Sequence, residues 1–467
     1  MELDMTKGSP AKLIAKFIVP IIIGNIFQQF YSMIDTIIVG RYVGLQALAA
    51  VGCTGTISFL ILGFAQGLTT GFTVLTAQRY GAGDMQGMKR SVANAGILAT
   101  GVAVIVTIVS ALCMDMLLTA MNTPSDMYDM AKEYIMIICL GMCFTIFYNF
   151  LASILRAIGN SVIPLVFLII SAILNVVLDI VFIVNFSWGV AGAAYATIIS
   201  QGVSAVLCLV YIIKAVPTLH LEKGHWQPDG QCMKNQISVG LPMALQYSIT
   251  AIGTILVQSA LNLLGSTVVG AYSVAGKVES LVTQPFAAMG VTMATYGAQN
   301  RGVNDLERIR KGVKVANIMS GIYSLVIFGV VMGILPYAIR LFVTENLDVV
   351  YEYSRIYMLV CGTCFIPLGM IFIFRNLLQG CGFGILPMMG GVVELVCRCA
   401  AAFVATRMLS YVGVCFANAS AWLVTGIFFG VLYLILMKKM QREKMVHELR
   451  SDSNFSNSSP AMAQNGK

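Results

Sequence analysis

The stretch Leu168–Phe186, LIISAILNVVLDIVFIVNF, runs for nineteen residues of which only Asp179 is charged. As a helix it extends about 28 Å, close to the hydrocarbon thickness of a bilayer. Similar apolar runs recur along the whole chain, at approximately 14–39, 48–75, 92–113, 130–155, 163–184, 191–213, 238–264, 271–298, 313–336, 352–378, 386–408 and 414–437. The 467 residues are 58% hydrophobic and 11% charged, whereas a soluble domain carries about a quarter charged residues. The runs are uniformly apolar rather than alternating, which excludes a transmembrane β-barrel. The expected fold is an all-α integral membrane protein with twelve transmembrane helices.

Orientation follows from lysine and arginine. With a cytoplasmic N-terminus, the inside segments hold most of the basic residues, Arg156, Lys214, Lys223, Arg375 and the tail from Lys438 among them. The outside segments hold only Arg41, Lys132, Arg340, Arg355 and Arg407. This bias places both termini in the cytoplasm of a multi-pass protein of the cell (plasma or inner) membrane. The net charge of +8 is then matched by anionic headgroups and requires no nucleic-acid partner. The polar start MELDMTKGSPAKLIAKF does not read as a cleavable signal, so the first span is expected to remain. Cys361/Cys364 and Cys397/Cys399 have only a superficial metal-like spacing, with no histidine near them, and read as packing residues.

The spans divide six and six around the polar connector 214–236. This gives a first lobe over 1–213, a second over 237–437, and a basic then disordered tail over 438–467. The halves repeat one another. VPIII at Val19–Ile23 answers LPMAL at Leu241–Leu245, TAQRYGAGD at 76–84 answers GAQNRGVND at 297–305, and LRAIGNSVIP at 155–164 answers LQGCGFGILP at 378–387. An even number of spans per repeat makes the lobes parallel, related by a pseudo-twofold axis along the membrane normal. Such an arrangement is characteristic of alternating-access carriers.

Ionisable residues inside spans are costly and are read as functional by default. Glu394 and Arg398 stand four apart in the favourable order for a helical ion pair. Lys277 and Glu279, two apart, point to different sides. Asp35 lies about 6 Å below the outer end of span 1. Asp179, Asn175 on the same helix face, and Thr197 on span 6 reach similar depths. Gln28, Tyr31 and Asp35 form a polar stripe on span 1. Two carboxylates close together in low dielectric require a proton or a hard cation such as Na⁺ between them. Asp35, Asn175, Asp179 and Thr197 would be its ligands. The plainer alternative is that Asp179 only hydrogen-bonds and locks helices. Pro20, fifteen residues before Asp35, permits a kink in span 1.

Six-plus-six parallel lobes, the AQ-containing segments after both second spans, and GKVESLVTQPFAAMG at 276–290 followed by GAQN at 297–300 resemble the multidrug and toxic compound extrusion (MATE) family. The resemblance covers residues ~10–437, nearly all of the chain. Asp in span 1, Asn-x-x-x-Asp in span 5 and Thr in span 6 are similar to the DinF-type branch, whose proposed cation site maps onto Asp35, Asn175, Asp179 and Thr197. Tyr134 and Asn149 match polar positions lining that branch's cavity, together with Gln28 and Tyr31. The branch also implies a hinge at Pro20. The NorM-type branch relies on acidic residues in spans 7 and 10, whereas span 7 here offers only Gln246, Gln258 and Asn262.

The resemblance implies an H⁺- or Na⁺-coupled antiporter that exports small organic, cationic or lipophilic compounds. It would act as a monomer amid membrane lipid, with no cofactor beyond the coupling ion and no enzymatic activity. The alternative within the superfamily is a flippase or exporter of a lipid-linked or amphipathic metabolite. The twelve-span count and the lack of an evident arginine-lined cavity speak against an anionic pyrophosphate cargo.

Overall fold

The computed structural model describes residues 3–121, 123–125, 127–340 and 347–457. Its helices are α1 Pro10–Tyr42, α2 Leu45–Gly81, α3 Met85–Ala120, α4 Tyr128–Leu140, α5 Met142–Ala157, α6 Val162–Asp179, α7 Gly189–Ala215, α8 Gly230–Asn262, α9 Ser266–Gly302, α10 Leu306–Arg340, α11 Leu347–Gly362, α12 Phe365–Gly380, α13 Ile385–Met408 and α14 Tyr411–Asn457. Among the described residues no strand occurs. Hydrocarbon offers backbone groups no hydrogen bonds, so each crossing must satisfy its own.

Nine of these helices are long and apolar enough to cross a bilayer. The bent pairs α4–α5 and α11–α12 each count as one further span, which makes eleven. The twelfth crossing is α9, where Lys277, Glu279 and Gln284 interrupt the apolar run.

The internal repeat reappears as geometry. α4 and α5 meet at a 46° bend beside Gly141, and α11 and α12 meet at 49° beside Thr363 and Cys364. The partners also repeat. α1 packs on α6 as α8 packs on α13, α2 on α5 as α9 on α12, and α6 on α7 as α13 on α14. Across the middle, α2 packs on α8 and α1 on α9, the contacts that a pseudo-twofold exchanges.

Glycines bring the central helices together at one end only. A Cβ on Gly71 would stand 2.3 Å from Gly240 Cα, one on Gly67 2.7 Å from Ala244 Cα, and one on Gly302 1.9 Å from the Gln78 carbonyl. Nearer the opposite end, Gly52, Gly55, Gly265 and Gly270 have no such neighbour within 4 Å. The two halves therefore meet at the end that carries both termini and part towards the other.

The N-terminal segment ties that closed end. Met5 is fully buried. Its N–H donates to Gln299 Oε1 at 2.9 Å, and its carbonyl accepts from Asn300 Nδ2 at 3.2 Å and Arg308 Nε at 3.0 Å. Leu3 N–H donates to the Gly159 carbonyl at 3.3 Å, and Gln299 Nε2 donates to the Ala157 carbonyl at 2.9 Å. Gly159 adopts φ +85° there, and a Cβ would collide with Leu3.

At the other terminus α14 continues to Asn457, over the basic run and the start of the stretch expected to be disordered. Its Lys, Met, Gln, Arg and Glu residues are strong helix formers, and Glu443 pairs with Arg301 at 3.2 Å. Residues 458–467 lie outside the described residues.

Gly71→Val inserts a side chain into the backbone contact with α8 and should cost about 1–3 kcal/mol, read as a lower Tm in detergent. Gly52→Val, in open space, should leave Tm unchanged. Equal Tm values for the two variants would contradict a seam closed at Gly71.

Candidate functional site

α1, α6 and α7 converge on a buried polar site near the open end of the first six spans. Asp35 hangs from the last two turns of α1, and Asn175 and Asp179 occupy one face of α6. All three are buried, Asp179 completely. The Asp35 and Asp179 carboxyls lie within hydrogen-bonding reach of each other. Asn175 Nδ2 faces Thr197 Oγ1 of α7 at 3.5 Å. Asp35 Oδ1, Asn175 Oδ1 and both Asp179 oxygens are shielded from solvent and have no hydrogen-bond donor.

Four buried acceptors without a donor cost free energy unless something positive joins them. Carboxylate, amide and hydroxyl oxygens are hard ligands, suited to Na⁺ as well as to a proton. Tyr31 and Tyr134 lie within electrostatic range of both carboxyls. Towards the open end a buried apolar cluster covers the site. It contains Ile38, Val39, Ile183 and Val190, with Tyr134 packed against it. Such a cover lowers the local dielectric and strengthens every charge interaction beneath it.

α6 loses its regular α-helical bonding at Asp179. The next six residues, Ile180–Asn185, form a π-helical segment, and Ser187 and Gly189 then adopt left-handed backbone. π-Turns are rare and concentrate at functional sites. Nothing in the run of apolar residues signals this one.

The other expected site residues lie further away. Gln28 is exposed on α1, two turns before Asp35. Asn149 sits on α5, beyond the Gly141 bend, and its amide donates to the Thr145 carbonyl at 2.9 Å. Pro20 lies inside α1, which continues through it as a single helix.

The second six spans hold their own polar groups. Glu394 and Arg398 form the expected ion pair at 2.6 Å, with both side chains nearly buried. Arg398 Nε and Nη1 have no partner, and Gly253 leaves room for the guanidinium. Glu279 accepts from the Tyr357 hydroxyl, and Asn418 Nδ2 donates to the Tyr272 and Tyr357 hydroxyls, both at 3.3 Å. Sequence reasoning missed Tyr272, Tyr357 and Asn418, because single polar residues on three separate helices leave no spacing signal.

Two arginines expected to face headgroups do not. Arg156 instead lines a small space between the halves, together with Asn376 and Thr295. Arg375 lies against the Gln246 side-chain amide and 4.9 Å from the centre of the Phe372 ring. The expectation that these two face headgroups is thereby corrected. α5 and α12 turn these positions towards neighbouring helices, which a loop-by-loop charge count cannot register.

The MatE family model matches residues 20–181 and 241–404, once in each half. The chain is 30% identical over 308 residues to the probable multidrug resistance protein YpnP of Bacillus subtilis, covering 66% of this chain and 68% of that one. It is 26% identical over 383 residues to the probable multidrug resistance protein NorM of Thermotoga maritima, covering 81% of each. The fold superposes on a crystal structure of MATE in complex with MaL6 with a TM-score of 0.89, at 23% identity over 94% of this chain and 99% of that one. An outward-facing multidrug resistance MATE family transporter of the MOP superfamily superposes at 0.88, also at 23% identity, over 94% of this chain and 98% of that one.

Glu394→Gln should destabilise the protein by about 3–5 kcal/mol, because it strands the buried Arg398 charge. Glu394→Leu combined with Arg398→Met should cost less than either single change. Thermal unfolding of Glu394→Gln, of Glu394→Leu and Arg398→Met singly, and of the double variant in detergent checks this, and additive losses in the cycle would contradict the pairing.

Proposed function

The chain belongs to the MatE family of multidrug transporters, and on that premise we propose that it exchanges a coupling cation for the exported compound at the Asp35–Asp179 site. One observation carries this reading. α1 and α6 bury four acceptor oxygens, Asp35 Oδ1, Asn175 Oδ1 and both of Asp179, and supply them no donor. A site that must alternate between charged and discharged states needs such an arrangement. A site serving only to lock helices would offer its carboxylates hydroxyl or amide donors.

The cycle follows from charge and packing. With the seam closed at the end bearing the termini, a proton or Na⁺ discharges the two carboxyls. Asn175 and Thr197 supply further oxygens, and Tyr31 and Tyr134 line the approach. Discharge removes the repulsion between the two carboxyls and so changes how α1 rests against α6. Pro20 weakens α1 at one point and serves as the hinge. α1 also packs on α9 in the second half, so its movement reaches the seam. Loss of the organic substrate to the outside then precedes closure of the open end and release of the cation on the other side.

The lysine and arginine asymmetry supports a closed end, and both termini, on the cytoplasmic side. The exported compounds are small, organic and lipophilic or cationic, and the protein works as a monomer without a further cofactor. A second reading, export of an amphiphile with an anionic headgroup, draws support from the inward-turned Arg156 and Arg375.

Asp35→Asn and Asp179→Asn should each abolish gradient-driven efflux while leaving expression and Tm at wild-type levels or above. Efflux of a lipophilic cationic dye from proteoliposomes, with pH and Na⁺ gradients imposed separately, measures the loss and identifies the ion. Undiminished efflux by Asp35→Asn would overturn the coupling role. Transport of an anionic amphiphile in place of the dye would favour the second reading.

A further inference from the structure

A groove of about 1010 Å³ lies on the outer flank of the first six spans, well away from the carboxyl pair. α3 and α7 form its sides and α5 its floor. Phe144, Phe147, Leu151 and Ile154 supply one face of α5, and Gly96 and Gly202 keep the two sides low. It runs from Gly202 to Ile213 along α7, about 16 Å of helix. The far end is blind, because the connector between α7 and α8 folds across it. His225 ties that connector to Gln86 at 2.7 Å, and the Asp229 N–H donates to Asn94 Oδ1 at 2.8 Å. Trp226 closes the end, its ring within about 4 Å of where a Gly96 Cβ would stand, yet half of it stays exposed.

The blind end is also the cationic end. Lys89 precedes Val92 by about one turn on α3, Lys214 follows Ile213, and Lys223 lies in the connector between Leu221 and Trp226. Among the described residues none of the three makes an ion pair. The acids nearby are occupied. Glu222 caps the turn Lys223–Trp226, and Asp229 caps α8.

An apolar groove in a membrane has no preference of its own, since lipid tails are as apolar as the side chains they would displace. Selectivity must come from the lysines at headgroup level. We propose that this groove binds an anionic phospholipid of the bilayer, with one acyl chain along α5 and the phosphate end on Lys89, Lys214 and Lys223. Trp226, with an apolar ring and a polar N–H, suits the boundary between chain and headgroup.

Trp226 is also the reporter. Its fluorescence is isolated as the difference between the wild type and Trp226→Phe, reconstituted in nanodiscs containing brominated phosphatidylglycerol or brominated phosphatidylcholine. Quenching of Trp226 should require a lower mole fraction of the anionic lipid, with each lysine contributing about fivefold. Lys89→Gln, Lys214→Gln and Lys223→Gln together should bring the two lipids to parity. Lys214 and Lys223 are exposed and Lys89 is half-buried, and an unchanged Tm verifies that the variant is folded. Equal quenching by both lipids in the wild type, or a preference that survives the triple substitution, would overturn the proposal. Quenching relieved by a lipophilic dye but insensitive to headgroup would assign the groove to transported compounds instead, and would likewise overturn it.

Discussion

A backbone N–H or C=O in hydrocarbon has no water to bond, and that constraint governs this structure. Each crossing is a helix that satisfies its own backbone, and departures are few and placed. They are the prolines inside α1, α8, α9 and α10, the bends beside Gly141 and Thr363, and the π-helical segment that begins after Asp179. The bends occupy equivalent positions in the two halves, so they belong to the repeated unit. The π-segment is described only in the first half. It adjoins the one carboxylate that is wholly buried without a donor.

α1 unites the elements of the molecule that matter for transport. It carries Asp35, contains Pro20, packs on α6 within its own half and on α9 and α10 in the other. The closed end is a separate construction. There, glycines on α2 and α8 permit backbone contact, and Met5 and Gln299 stitch α5, α9 and α10 together. Beside apolar contacts of Val74 with Val239 and Met243, and of Ala77 with Ala157 and Ala298, these ties are polar bonds among buried groups. Such bonds can be exchanged for others at small net cost when the halves move. The second half buries its own acids differently, Glu394 against Arg398 and Glu279 against tyrosine, so each has a partner where Asp35 and Asp179 have only each other.

Much of this was legible before any fold was known. Apolar runs long enough to span a bilayer located the helices, and three pairs of matching segments at a near-constant offset announced the repeat. Asp35, Asn175, Asp179 and Thr197 stood out because polar groups are rare in such runs and because helical rise puts them at one depth. Gln28 and Asn149, expected to line the cavity rather than to ligate the cation, lie two turns from Asp35 on α1 and beyond the bend on α5. Arg156 and Arg375 counted as headgroup-facing because position along a span does not determine which way its helix faces. The cluster of Glu279, Tyr357, Tyr272 and Asn418 escaped notice because its members come from α9, α11 and α14.

By itself, then, the sequence determined that the protein is helical, spans the membrane and is built twice, because hydrophobic length and internal repetition are properties of the chain alone. It also selected the acids whose burial would be costly. Only the tertiary structure decided that two of those acids share one donor-free point, that α6 changes its winding beside them, and that the halves touch at one end and part at the other. Each of these depends on how helices rotate about their axes and approach one another. Such contacts are made between residues distant in the chain, and a linear pattern cannot encode them.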